Sequence, residues 1–397
     1  MKKIYLDYAA TSPVDSLVLK TMSPYGSQFY GNPNSLHSWG QKAREAVEKS
    51  RQIIAKYLNC LSEEIIFTSC ATEANNLALK GVVKAWKEKN LKLSPHIIVS
   101  PIEHHCVLDT AKRLAKEGVE VSWLKVDKTG LVDPKQVEKL IKKNTILVSV
   151  MDGNNEVGTI EPIKEIGKII KNKKGKGIYP LFHTDAVQAI QYLSLDTKKL
   201  KVDLLSASAH KFYGPKGIGF LYLKKGTPIV KEIEGGSQEN NLRAGTENVS
   251  FIVGMAKALD LVRKNKDKEV KRLEFLRDYF IKKILKNIPQ TQLTGHPKAR
   301  LPHIASFVFL GAEGEAILLY LNDKGIGVSS GSACTSGSLK PSHVLLAMRI
   351  KPEIAHGSIR FSFGKKTTRF DLDYVLKVLP GIIKKIRKMA PKLKIGK

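Results

Sequence analysis

The chain has 397 residues, enough for two domains with sizeable cores. Its hydrophobic content of 42% and charged content of 26% are those of a globular protein, and no run approaches the roughly 18 uninterrupted apolar residues of a membrane-spanning helix. The formal net charge of +29 spreads over helical stretches such as 164–176 and 264–286 without a nucleic-acid-binding module, so it reads as a solvated coat and assigns no specific nucleic acid.

The N-terminus, Met1-Lys-Lys-Ile-Tyr-Leu-Asp7, starts like a signal peptide, but Asp7 and Asp15 leave no apolar stretch behind it; a cytoplasmic protein is expected. From residue 65 onward, strand-like runs at 65–68, 96–100, 119–122, 145–150, 181–182 and 204–205 alternate with amphipathic stretches such as 109–117 and 162–171. Such alternation predicts an α/β fold with a mostly parallel sheet covered by helices. Past about residue 260 the texture changes to a long charged helical run, followed by a strand at 304–309, a helix at 314–324, a loop and a strand at 359–362. The expected division is a large α/β domain over 15–260 and a smaller α+β domain from 261–397. The basic end, with Lys384-Lys-Ile-Arg-Lys388, could attract an acidic partner but names none.

Four cysteines, Cys60, Cys70, Cys106 and Cys334, do not make a disulfide framework in a chain of this size, and no Cys/His cluster has zinc-ligand spacing. His104-His105-Cys106 is read without a metal, because neighbours on a strand point to opposite faces.

Three strand-end segments carry the chemistry. In Ser206-Ala-Ser-Ala-His-Lys-Phe-Tyr-Gly-Pro-Lys-Gly-Ile-Gly219 a buried strand ends in His210, Lys211 and a Gly/Pro turn. Partial burial lowers a lysine pKa, and a neutral amine is what imine chemistry needs. Taken alone, a surface lysine in a glycine turn is an equal reading. In Tyr179-Pro-Leu-Phe-His-Thr-Asp-Ala-Val-Gln188 an apolar strand ends in Asp185, a carboxylate of the kind that pairs a pyridinium nitrogen. In Phe67-Thr-Ser-Cys-Ala-Thr-Glu-Ala-Asn-Asn76 a hydroxyl-rich turn opens a helix, whose free N–H groups suit a phosphate. Each is weak alone; in this order, each at a strand end, they point to pyridoxal 5'-phosphate.

The sequence resembles the pyridoxal-phosphate cysteine desulfurases of the NifS/IscS type, within the fold-type I, class V aminotransferase enzymes. The resemblance runs from Tyr5-Leu-Asp-Tyr-Ala-Ala-Thr11 and Gly31-Asn-Pro-Asn-Ser35 through Thr68 to Asn76, Glu103-His-His105 and Asn154-Asn-Glu-Val-Gly158. Beyond the Asp185 and Lys211 segments it continues through Arg243-Ala-Gly-Thr-Glu247, Ser329-Ser-Gly-Ser-Ala-Cys-Thr-Ser336 and Ser358-Ile-Arg-Phe-Ser362. It implies that residues 1–14 pack with the smaller domain. It also implies that Lys211 carries the cofactor, that His104 stacks on the ring and transfers protons, and that Asp185 and Gln188 bond its ring nitrogen and phenolic oxygen. Ala71, Thr72, Ser208 and His210 are the implied phosphate cradle, joined by Thr246 from the second subunit of a homodimer. Asn155 joins the cofactor set and, with Arg360, the substrate carboxylate. Cys334, on a serine/glycine-rich arm, is the implied nucleophile that takes sulfur from L-cysteine as a persulfide, leaving L-alanine. An iron–sulfur scaffold or a tRNA-thiolation carrier is the implied acceptor.

Cys70 and Ala209 stand where the family usually has glycine, and each puts a Cβ where backbone nears the cofactor. Two other readings remain open at this point: a related lyase or aminotransferase on the same cofactor, including a selenocysteine lyase, and a basic RNA-binding or scaffold protein that keeps the fold.

Overall fold

The computed structural model describes residues 3–90, 93–330 and 341–389. Its strands in chain order are β1 (Ile4–Tyr5), β2 (Ile65–Thr68), β3 (His96–Val99), β4 (Glu120–Trp123), β5 (Thr145–Ser149) and β6 (Leu181–Asp185). Then come β7 (Leu204–Ser208), β8 (Gly219–Leu223), β9 (Thr291–Leu293), β10 (Ile304–Phe309), β11 (Ile326–Gly327) and β12 (Ser358–Ser362). Seven of them form one sheet in the order β2-β8-β7-β6-β5-β3-β4. Pairing is parallel from β7 across to β4, while β8 runs antiparallel to both β7 and β2. The α/β class and the mostly parallel sheet are as the alternation predicts.

Apart from the edge strand β4, both faces of this sheet are dry, and period-2 alternation assigns side chains to them. Ile65, Phe67, Ile98, Phe220 and Tyr222 pack to one side, with the helices Ser38–Leu58 and Ile163–Lys174. Ile66, Ile97, Val99, Leu221 and Leu223 pack to the other, with the helices Ala71–Lys89 and His105–Lys116. A strand buried on both faces reads as a continuous apolar run, which is why these strands are legible. β6 and β7 run three residues past their apolar starts, through His183, Thr184, Asp185 and then Ser206 to Ser208. Two of the polar residues that hide these extensions, His183 and Ser206, bond each other. His183 bonds the Ser149 hydroxyl on β5 at 2.8 Å and the Ser206 hydroxyl on β7 at 3.2 Å. The His104-His105 pair opens a helix rather than lying in a strand: His104 is the N-cap of His105–Lys116.

A separate core gathers Ile4 and Leu6 with Phe307, Phe309, Phe361, Phe363 and the helix Arg369–Met389, over the antiparallel sheet β12-β10-β9. The charged helical run expected past 260 begins earlier, as one helix of 39 residues, Val249–Asn287. Its first half, through Val262, packs in the larger core; Leu273, Leu276, Phe280 and Ile284 pack in the smaller. Val344, Leu345 and Met348 return to the larger core. Among the described residues no helix is long and apolar enough to cross a membrane.

Candidate active site

The strand ends converge on a cavity of about 430 Å³ lined by Ala71, Thr72, His104, Asn155, Asp185, Gln188, Ser208, His210, Lys211 and Arg360. These are the sequence-derived candidates apart from Thr246 and Cys334. Thr246 is exposed, ahead of the helix Val249–Asn287, and does not line this chain's cavity. Cys334 lies outside the described residues.

Lys211 sits in a single 3-10 turn after β7. The N-terminal segment wraps that turn. The Lys211 amine donates to the carbonyls of Ala9 at 2.9 Å and Ala10 at 2.6 Å, and the Ser12 hydroxyl donates to the His210 carbonyl at 2.9 Å. The His210 ring contacts the Thr11 hydroxyl at 3.2 Å. Burial, then Lys211 and Lys216, push its pKa down to about 4, so the ring is neutral at physiological pH. The Ser208 hydroxyl makes a long contact, 3.5 Å, with the Ile218 carbonyl.

Across the cavity, Asp185 ends β6 and is almost wholly buried. One carboxylate oxygen accepts from the Val187 backbone N–H at 2.9 Å, and the other from the Asn75 amide at 2.7 Å. Gln188 donates to the Ala9 carbonyl at 2.9 Å, and its oxygen lies 3.2 Å from His303, which stacks on Tyr192 at 4.2 Å between centroids. His104 is half-buried, and its Nδ1 accepts from the Cys106 backbone N–H at 3.2 Å. Burial lowers its pKa, with Lys211 adding to the effect and Asp185 opposing it.

The helix Ala71–Lys89 points its start at the same space. Its N-cap, Cys70, provides no side-chain cap, so the first-turn N–H groups are left to an anion. Gly219 on β8 makes room for this start: a Cβ there would lie 2.8 Å from the Cys70 carbonyl carbon and 3.0 Å from the Ala71 nitrogen. The two residues standing in place of glycine fit their backbones. Cys70 has φ −172° and ψ 172°, extended backbone open to any residue. Ala209 has no positive φ, and its methyl occupies the space that Gly214 leaves, since a Cβ at 214 would sit 2.8 Å from it.

The far end is built from distant parts of the chain. Arg360, on β12 and 4% exposed, donates to the Asn155 carbonyl at 2.7 Å and to the Asp7 carboxylate at 2.9 Å. Its Nε has no partner among the described residues. The backbones of Arg360 and Ser329 bond each other, and His343 bonds the Glu103 carbonyl at 2.9 Å, so both flanks of the Cys334 segment are tied beside the cavity.

Sequence reading missed Asp7, Asn75, Cys106 and His303. Asn75 falls inside a quoted motif, and a buried asparagine on an apolar helix face signals a polar partner. Nothing local to Asp7 announces Arg360.

A sheet with a lysine, a buried acid and an uncapped helix at its strand ends belongs to the fold-type I transferases. Residues 4–375 match the aminotransferase class-V family, and the chain belongs to it. It is 51% identical over 390 residues to cysteine desulfurase IscS of Dictyoglomus turgidum, covering 98% of this chain and 97% of that one. To the cysteine desulfurase of Rattus norvegicus it is 41% identical over 394 residues, covering 98% and 85%. A solved NifS-like protein superposes with a TM-score of 0.89 at 39% identity, covering 96% of this chain and all of that one. Within the family, the chain is a cysteine desulfurase of the IscS/NifS type.

Proposed function

We propose that the protein acts from this cavity with pyridoxal 5'-phosphate, removing sulfur from L-cysteine onto Cys334. The observation that carries the reading is the convergence of Lys211, Asp185 and the uncapped helix start on one wall, with Arg360 at the opposite end.

The residues fit the cofactor by two observations. The space at the helix start exists because Gly219 has no Cβ, and a buried carboxylate lines the same cavity, held in orientation by Val187 and Asn75. Lys211 would hold the cofactor, Asp185 its ring nitrogen, Gln188 its phenolic oxygen and Asn155 a further contact. Ala71, Thr72, Ser208 and His210 would hold the phosphate, with Thr246 supplied by the other subunit of a homodimer. When bound, the cofactor supplies an electron sink that makes bonds at the substrate α- and β-carbons breakable.

This chain's own residues do the rest. Arg360, with one guanidinium nitrogen unpartnered among the described residues, orients the substrate carboxylate, and Asn155 lies beside it. Lys211, once its amine is released, moves a proton at the substrate α-carbon. His104 has an Nε2 without a hydrogen bond among the described residues, and exchanges protons inside the cavity. Cys334 takes the sulfur, so that L-cysteine and the Cys334 thiol become L-alanine and a Cys334 persulfide, with no external oxidant. An acceptor protein, an iron–sulfur scaffold or a thiolation carrier, then removes the sulfur in the cytoplasm. The two apolar cores support a division into domains 15–260 and 1–14 with 261–397, meeting inside the helix Val249–Asn287, with Val344, Leu345 and Met348 of the second crossing back to the larger core.

The test is incubation with L-cysteine and a reductant, measuring sulfide and alanine together. Equal amounts are expected. Keto acid in place of alanine would make the protein an aminotransferase, and a large preference for selenocysteine would make it a selenocysteine lyase. Intact mass without reductant should show added sulfur on the wild type and none on Cys334→Ser. Sulfur on Cys60 or Cys106 would name a different nucleophile.

A further inference from the structure

We propose that Cys106 is a positioning residue for the reaction: its thiol donates to Nδ1 of His104, keeping the imidazole proton on Nε2, and Asn75 ties this hold to Asp185. The proposal rests on the reading above, in which His104 exchanges protons.

The donor count fixes the direction of each bond. The Asn75 amide nitrogen has two hydrogens, and both are used: one at 2.7 Å from the Asp185 carboxylate and one at 3.0 Å from the Cys106 sulfur. The sulfur is therefore an acceptor toward Asn75; the Thr72 hydroxyl also donates to it, as its lowering effect on the thiol pKa requires, so the S–H remains for Nδ1 of His104, 3.0 Å away. The Cys106 backbone N–H also points at Nδ1, at 3.2 Å. Two donors converging on Nδ1 leave it no place for a proton, so the neutral ring carries its hydrogen on Nε2. Asn75 holds this posture although its own Oδ1 is buried without a partner among the described residues, an uncompensated acceptor that packing alone does not call for.

The groups facing this pair come from every side. His104 feels Asp185 on β6, Lys211 on the turn after β7, and His105 and Asp109 on its own helix, with His343 edge-to-face against His105. Cys106 feels Asp185 and Glu103, and Thr72 bonds it from the neighbouring helix. Burial, then Asp185, oppose a thiolate here, so the S–H stays available as a donor. A hydrogen bond donated to a base favours its neutral form. Removing the thiol should therefore raise the pH at which His104 protonates, by about half to one unit.

The test uses full-length protein with 15N-labelled histidine, with and without cofactor, the His104 signal being assigned by its loss in His104→Gln. The wild type should show the Nε2–H form. Cys106→Ala should mix the two tautomers and move the titration midpoint upward by about half to one unit. Cys106→Ser should return both toward wild type, because a hydroxyl can donate to Nδ1 and accept from Asn75. In the holoenzyme, the acid limb of kcat/KM should follow the same order. A Cys106→Ala titration that superimposes on wild type would overturn the proposal, as would a serine variant indistinguishable from alanine. Should Cys106→Ala fail to fold, Asn75→Ala keeps the thiol but removes its anchor and should move the midpoint the same way; an unchanged midpoint there overturns the proposal. A wild type that releases no sulfide would sink the functional reading while leaving this titration intact.

Discussion

The two ends of the cavity are built by opposite strategies. At the end holding Lys211, Asp185 and the helix start, the lining comes from the ends of strands β2, β6 and β7 of one sheet, together with His104 after β3 and Ala9 and Ala10 of the N-terminal segment. Most polar groups there are already committed: the lysine to two carbonyls, the aspartate to two donors and Gln188 to Ala9 and His303. At the other end, Arg360 is joined to Asp7 across 353 positions of sequence, and its Nε has no partner among the described residues. One end has its polar groups paired; the other holds a buried guanidinium nitrogen with no partner among the described residues, beside the place proposed for the substrate carboxylate. Retained cofactor needs permanent order, whereas a turning-over substrate needs an open valence.

Substitutions at the two ends should therefore separate. The largest effect is expected for Lys211→Ala, which should abolish turnover and the visible absorption of bound cofactor while leaving the melting temperature close to wild type. Normal sulfide release by this variant would break the comparison outright. Arg360→Ala comes next. Loss of a charge-assisted contact costs about 2–4 kcal/mol, a weakening of roughly 30- to 1000-fold in apparent cysteine affinity, with cofactor binding little changed. An unchanged apparent affinity in steady-state assays would place Arg360 outside the substrate site. Asp7→Asn should be milder, raising KM by about three- to tenfold, because the guanidinium stays but loses its charged partner. The smallest effect is expected for Cys70→Gly. With Cys70 in extended backbone, glycine relieves no strain, so activity and cofactor affinity should stay within about threefold of wild type, with a small loss of stability from added unfolded-state entropy. Alkylation of the holoenzyme should label Cys334 before Cys70, and Cys70 should react faster once cofactor is removed.

The same contrast explains how much could be read in advance. Strands β2, β3, β5 and β10 are buried along their whole length and mainly apolar, and each starts where its run in the sequence starts. β6 and β7 looked two residues long because His183, Ser206 and Ser208 are polar, and only the neighbouring strands reveal that His183 is satisfied by Ser149 and Ser206. Lys211, Asp185 and Thr72 were legible because each closes a local strand-and-turn pattern. Asp7 and His303 were not, since their partners, Arg360 and Gln188, are remote in sequence. Cys106 lay in view beside His104, but the reading of that stretch as a strand sent the two side chains apart. A helix N-cap brings them together instead.

The 39-residue helix Val249–Asn287 has a mechanical consequence. At 1.5 Å per residue it is a rod of about 58 Å whose two halves are cemented into different cores. Any tilt of the smaller core against the larger must bend that rod or tear one end loose. Arg360, carried by the smaller core, is thereby kept at a set span from Lys211, carried by the larger. The rod works as a caliper, fixing the length of molecule that can lie between the guanidinium and the amine.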